Sequence, residues 1–207
     1  MDDIKTQDLF LQIRTAHRMV VAYYKRLLPI IYQVATELDT QFYIWEPSNF
    51  ARPAGLSTNI FDRWEWDLVP GLCTNYLFYK SEDSHKQKIG DWLLDFHVIT
   101  DTGVIETSKK RNPDPLSLEK NVEDSNSVLR IYIYVPKKDN TLNWYSGIWK
   151  NSDCPKLSES PNKIVVDEEN EISANGFEIQ LSELVEKGST ELLVERIKKY
   201  RDVLLTS

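Results

Sequence analysis

Asp95, His97 and Glu106 are the residues whose types and spacing come nearest to a reactive set. Side chains alternate along a strand, so Asp95 and His97 share a face if residues 92–99 are extended. If Ile99 pairs with Val104 through a tight turn at Thr100, Asp101, Thr102 and Gly103, Glu106 stands across from His97 and Ser108 across from Asp95. Imidazole and carboxylates bind zinc, manganese or iron, and a facial set of them leaves positions open for water. That is the chemistry of a metal-dependent hydrolase or nuclease. A slip of one residue in the turn sends Glu106 to the other face and dissolves the set. Three polar side chains on the solvated face of a hairpin are also what any half-exposed sheet shows, and this plainer reading is preferred. No cofactor is then expected, and a divalent metal belongs to the alternative alone.

Other reactive side chains form no constellation. His17 lies between the helical apolar positions Ile13 and Val20 and is expected to be a partly buried helix residue, while His85 sits in the polar stretch 81–86 with no orienting partner. Cys73 and Cys154 stand 81 positions apart, outside any Cys-x-x-Cys pair, and read as free thiols in a reducing compartment. Restriction-type nucleases place an acid on one hairpin strand and a Glu-x-Lys on the next. Here two residues separate Glu106 from Lys109, which throws them onto opposite faces of a strand. The 7 glycines come no closer together than 12 positions, so neither a phosphate-binding loop nor a dinucleotide fingerprint is present. Ser57, after Gly55 and Leu56, lacks the strand-to-helix context of a nucleophile elbow.

The charge balance narrows the partners. A net charge of −7, from 32 acidic and 25 basic residues, works against attraction to a phosphate backbone, so no nucleic-acid partner is expected. The first residues are acidic where a signal peptide needs a basic start, and Lys25 and Arg26 interrupt the most apolar early stretch. A soluble cytoplasmic protein without membrane association is expected. At 207 residues the chain suits one α+β domain, residues 1–207, large enough to bury about 70% of its unfolded surface.

These side chains must be positioned by a limited set of elements. Leu9, Ile13, Ala16, Val20, Tyr24, Leu27, Ile31, Val34 and Leu38 recur at spacings of three and four, which predicts one long helix over 7–38. At a rise of 1.5 Å per residue it would run ~48 Å, longer than such a domain needs, so a kink at Pro29 or a protruding end is expected. Strands are predicted at 42–45, 64–69, 74–80, 92–99, 104–107, 128–135, 144–150, 164–166 and 177–181, and an amphipathic helix at 190–205 closes the chain. Residues 109–127, with Pro113 and Pro115 at the head and a polar tail, read as a mobile loop. The order implies an α+β fold with a long N-terminal helix, a largely antiparallel sheet of six or more strands and a C-terminal helix, the two helices on one sheet face.

Residues 42–79 hold 10 of the 23 aromatic side chains, among them Trp45, Trp64 and Trp66. Each ring can bury roughly 150–250 Å², so the segment is expected to supply core and, through these three tryptophans, a binding wall. Taken together the sequence favours a binding or regulatory protein without catalytic activity, whose partner is a protein or a small ligand.

Overall fold

The computed structural model describes residues 3–48, 55–57, 59–62, 65–107, 113–152 and 155–207. In chain order the main elements are α1 (Asp3–Glu37), β1 (Gln41–Pro47), β2 (Cys73–Lys80), β3 (Trp92–Ile99), α2 (Thr102–Thr107), β4 (Val128–Pro136), β5 (Val165–Asp167), β6 (Ile172–Gln180) and α3 (Ser189–Thr206). The strands form one six-stranded sheet in the order β1-β2-β3-β4-β6-β5, and every neighbouring pair is antiparallel.

The apolar alternation of β3 and β4 decides which side of the sheet is which. Trp92, Leu94, Phe96 and Val98, with Leu129, Ile131 and Ile133, turn to one face. There they meet Leu27, Ile31 and Val34 of α1 and Leu193, Ile197 and Leu204 of α3. Both terminal helices therefore cover the same face, as expected. The opposite face carries two separate apolar clusters: Leu77, Leu93, Tyr134 and Trp144 at one end, and Cys73, Ile99, Val104 and Val128 at the other.

Four expectations are corrected, two of them by a local hydrogen bond. Residues 104–107 do not return as a strand, because Asp101 Oδ1 accepts the N–H groups of Gly103 (2.8 Å) and Val104 (3.4 Å) and so starts the α2 helix. Residues 144–149 form a π-helical turn instead of a strand, with Asn143 Oδ1 accepting from Tyr145 N (3.0 Å) and Ser146 N (2.9 Å). Residues 65–68 make a 3₁₀ turn. The strand expected at 177–181 begins earlier, at Ile172, through a stretch whose Ser, Asn and Gly disguise it. Gly176 is needed there: a Cβ at this position would lie 2.6 Å from Ile131 O and 2.7 Å from Tyr132 Cδ1.

α1 starts at Asp3, and residues 7–22 of it are exposed, His17 included. Of the expected loop, residues 109–112 lie outside the described residues. The remainder is tied to the body where Trp66 Nε1 donates to Pro113 O (2.7 Å), where Leu118 packs on the Cys73 cluster and where Asn126 N donates to Thr102 Oγ1 (3.0 Å). No helix among the described residues is long and apolar enough to cross a membrane.

The helix-to-sheet contact is what holds α3, and Ile197 is fully buried in it. Ile197→Asp places a carboxylate on that site and is expected to cost several kcal/mol, roughly enough to unfold the protein near room temperature. A thermal melt by circular dichroism checks this, and an unchanged melting temperature would show that the helix is not held by this face.

Candidate functional site

Strand register assembles a polar row across the sheet face opposite the two terminal helices. Glu46 pairs with Asn75, Asn75 with His97, His97 with Arg130, and Arg130 with Glu178, one residue from each of β1, β2, β3, β4 and β6. At about 4.8 Å between strands the row runs ~19 Å. It lies between the two apolar clusters of that face. In the row beside it Leu77, Asp95, Tyr132 and Gly176 are likewise consecutive partners.

The contacts along the row are specific. Arg130 Nε donates to Glu178 Oε2 at 2.7 Å, with both side chains about one-third exposed. His97 Nε2 lies 3.1 Å from Cys73 Sγ and 3.2 Å from Ser48 Oγ, and Asn75 Nδ2 donates to that same hydroxyl. The π-helical turn reaches over the sheet from the other side. Its Trp149 Nε1 donates to Asp95 Oδ2 at 2.8 Å, and its Tyr145 hydroxyl bonds Glu46, whose carboxylate also lies 3.5 Å from Lys150 Nζ. Tyr145 and Trp149 are stacked, with ring centroids 5.7 Å apart.

Burial sets the protonation states. Asp95 is 1% exposed, its Oδ1 has no hydrogen-bond partner among the described residues, and burial pushes its carboxyl up to about 7 against the opposing effect of the Trp149 bond. Burial, and secondarily the Arg130 charge, brings His97 down to about 4. Burial raises the Cys73 thiol to about 11. At neutral pH the thiol and the imidazole are therefore both uncharged. A cysteine nucleophile needs the reverse, a thiolate beside an imidazolium.

The structure brings together two of the three residues singled out for a metal. Asp95 and His97 do share a face, but on a central strand paired on both sides, not on a hairpin. Glu106 belongs by its backbone to α2, so strand pairing with His97 is ruled out, and its side chain lies outside the described residues. No group of three His, Cys, Asp or Glu among the described residues could hold a metal ion. Trp45, 39% exposed, pairs with Tyr76 and so stands on the helix-covered side of the edge strand, away from the row. Trp66 anchors Pro113 and packs on the Cys73 cluster, and Trp64 lies outside the described residues. Sequence reasoning missed Glu46, Ser48, Asn75, Arg130, Glu178 and Trp149. Arg130 alone left a signal, as the one charge in the otherwise uncharged run of β4.

A further recess, lined by Asn151, Ser152 and residues 165–170, offers less. The oxygens of its Asp167 are already occupied by the N–H groups of Glu169 and Asn170, the Asn170 amide and the Ser152 hydroxyl.

The chain belongs to the PM0109 family, whose sequence profile spans residues 4–203. It is similar to a protein of Pasteurella multocida (strain Pm70) that bears the name Uncharacterized protein PM0109. The two are 22% identical over 200 residues, which is 91% of this chain and 90% of that protein. No solved structure matches the chain at a significant level.

Asp95 and His97 give opposite pH dependences. The folded protein keeps the Asp95 proton up to about pH 7, whereas an unfolded chain loses it near 3.8, so this contribution to stability is lost as pH rises through that window. The folded protein refuses the His97 proton down to about pH 4, whereas an unfolded chain takes it near 6.5, so this contribution is lost as pH falls. The two slopes oppose each other between those limits. Asp95→Asn is expected to leave a melting temperature that climbs from pH 4 to 6.5, and His97→Gln one that declines over the same span. Each variant should unmask on the order of 2–4 kcal/mol. Melts at half-unit pH steps check it, and parallel curves for the two variants would sink the assignment.

Proposed function

We propose that this protein is a binding protein, not an enzyme, and that the polar row from Glu46 to Glu178 is where it holds its ligand. The observation that carries the reading is the row itself. Five polar side chains in consecutive register, backed by a buried Asp95, occupy a sheet face that is apolar on both sides of them. Such a set costs stability compared with apolar residues, and strongly perturbed groups of this kind concentrate at functional sites. The uncharged Cys73–His97 pair argues for recognition over nucleophilic attack.

The charges suggest the ligand. Arg130 commits its Nε to Glu178 and, among the described residues, leaves its Nη edge uncommitted, which suits a planar carboxylate. Glu178 beside Arg130, and Glu46 at the far end of the row, suit an ammonium or amide N–H. An amino acid or short peptide offers both, so the ligand is a small zwitterion or an exposed peptide segment of a protein partner. The aromatic-rich segment 42–79 gives Glu46, Ser48, Cys73 and Asn75 to the floor, while half-exposed Phe42 and Trp45 stand on the helix-covered face. The free Cys73 thiol fits a reducing, cytoplasmic setting.

The test is a thermal-shift series on the full chain with free amino acids, dipeptides, zinc and manganese. At least one zwitterion is expected to raise the melting temperature of the parent by several degrees and to leave Arg130→Gln unmoved. If only zinc or manganese stabilises the parent, and His97→Gln abolishes that effect, the protein is a metal-dependent hydrolase or nuclease instead.

A further inference from the structure

α1 is longer than the sheet it covers. Leu9, Ile13, Ala16, Val20, Tyr23, Leu27, Ile30 and Val34 follow one another at alternating intervals of four and three, a continuous heptad stripe. In the C-terminal half Leu27 and Val34 are buried against the sheet, with Tyr23 and Ile30 packed at the edge of that core. Among the described residues no cluster packs against the stripe in the N-terminal half, and Leu9, Ile13 and Val20 are 48%, 39% and 48% exposed. An uncovered helix of this length is marginal in water, so an apolar stripe of this kind calls for a covering surface.

We propose that the occupant is the same segment of a second copy, packed antiparallel about a two-fold axis midway between Ile13 and Ala16. In that register Leu9 faces Val20 of the second copy and Ile13 faces its Ala16. Each larger side chain thus meets a smaller one, and the axis repeats both layers. The stripe is self-complementary, which a surface shaped for an unrelated partner has no need to be. Helical geometry points Arg14, Arg18 and Lys25 away from the stripe, so no basic charge enters the seam, and the two helix dipoles run in opposition. Phe10 and Met19 flank the stripe and are exposed as well. With them the covered surface is roughly 500 Å² per copy and ~1,000 Å² for the pair, at the lower limit for a specific interface, so the dimer is weak and concentration-dependent.

Sedimentation velocity on the full chain tests the association. The parent is expected to be dimeric at concentrations on the order of 100 µM and to dissociate on dilution into the low micromolar range. The double variant Ile13→Asp/Val20→Asp should remain monomeric throughout with an unchanged melting temperature, since both positions lie outside the core. Orientation is read in a Cys154→Ser background: Leu9→Cys/Val20→Cys should cross-link between copies on oxidation, and Leu9→Cys alone should not. A parent that stays monomeric, whether or not it binds anionic vesicles, a dimer that survives the double variant, or cross-linking by Leu9→Cys alone would overturn the proposal.

Discussion

The pairing of β3 with its neighbours on both sides is the constraint on which the rest depends. β3 is in register with β2 from Cys73–Ile99 to Lys80–Trp92 and with β4 from Leu93–Tyr134 to Ile99–Val128. A two-residue side-chain period then fixes which residues meet the helices and which meet the π-helical turn. A shift of one residue in β3 would carry Asp95 and His97 into the helix-covered core and expel Leu94 and Phe96 from it. The apolar side chains of one face thus hold the polar residues of the other in line.

That coupling explains how the polar row can persist. Helices α1 and α3 contribute the large apolar burial on one side, so the other side tolerates groups that stabilise little by themselves. Each polar group in the row is partly compensated by a neighbour: Arg130 by Glu178, Glu46 by Tyr145 and Lys150, Asn75 by Ser48. Asp95, in the row beside it, is less well compensated. Among the described residues it has one donor, Trp149, and its second oxygen is unpartnered, so burial favours the protonated carboxyl. The π-helical turn that delivers Trp149 is an uncommon local geometry, and here it places an indole N–H over the centre of a sheet.

The same dependence on the sheet distinguishes the two halves of α1. Where the helix lies on strands its apolar stripe is satisfied within the chain. Where it outruns them the identical spacing remains, with the side chains turned to solvent. The stripe and its repeat are properties of the local sequence, whereas the length of sheet beneath it is set by six distant segments.

Much of the fold was legible because periodicity is local. The three-and-four spacing from Leu9 to Val34 marks a helix wherever it sits, and the alternation in 92–99 and 128–135 marks strands with one aliphatic face, which the structure repeats nearly residue for residue. Elements governed by a single capping side chain were misread. Asp101 turns 102–107 into a helix and Asn143 turns 144–149 into a π-helical turn, although both stretches carry the β-branched and aromatic residues of strands. The sequence by itself determined that Asp95 and His97 share a face, since alternation needs no partner. Only the tertiary structure decided that the face is half-buried, that Glu106 is not across from it, and that Glu46, Asn75, Arg130 and Glu178 complete the row. Register between strands 20 to 50 residues apart is set by the fit of the whole apolar face against two helices, and no window of sequence contains that fit.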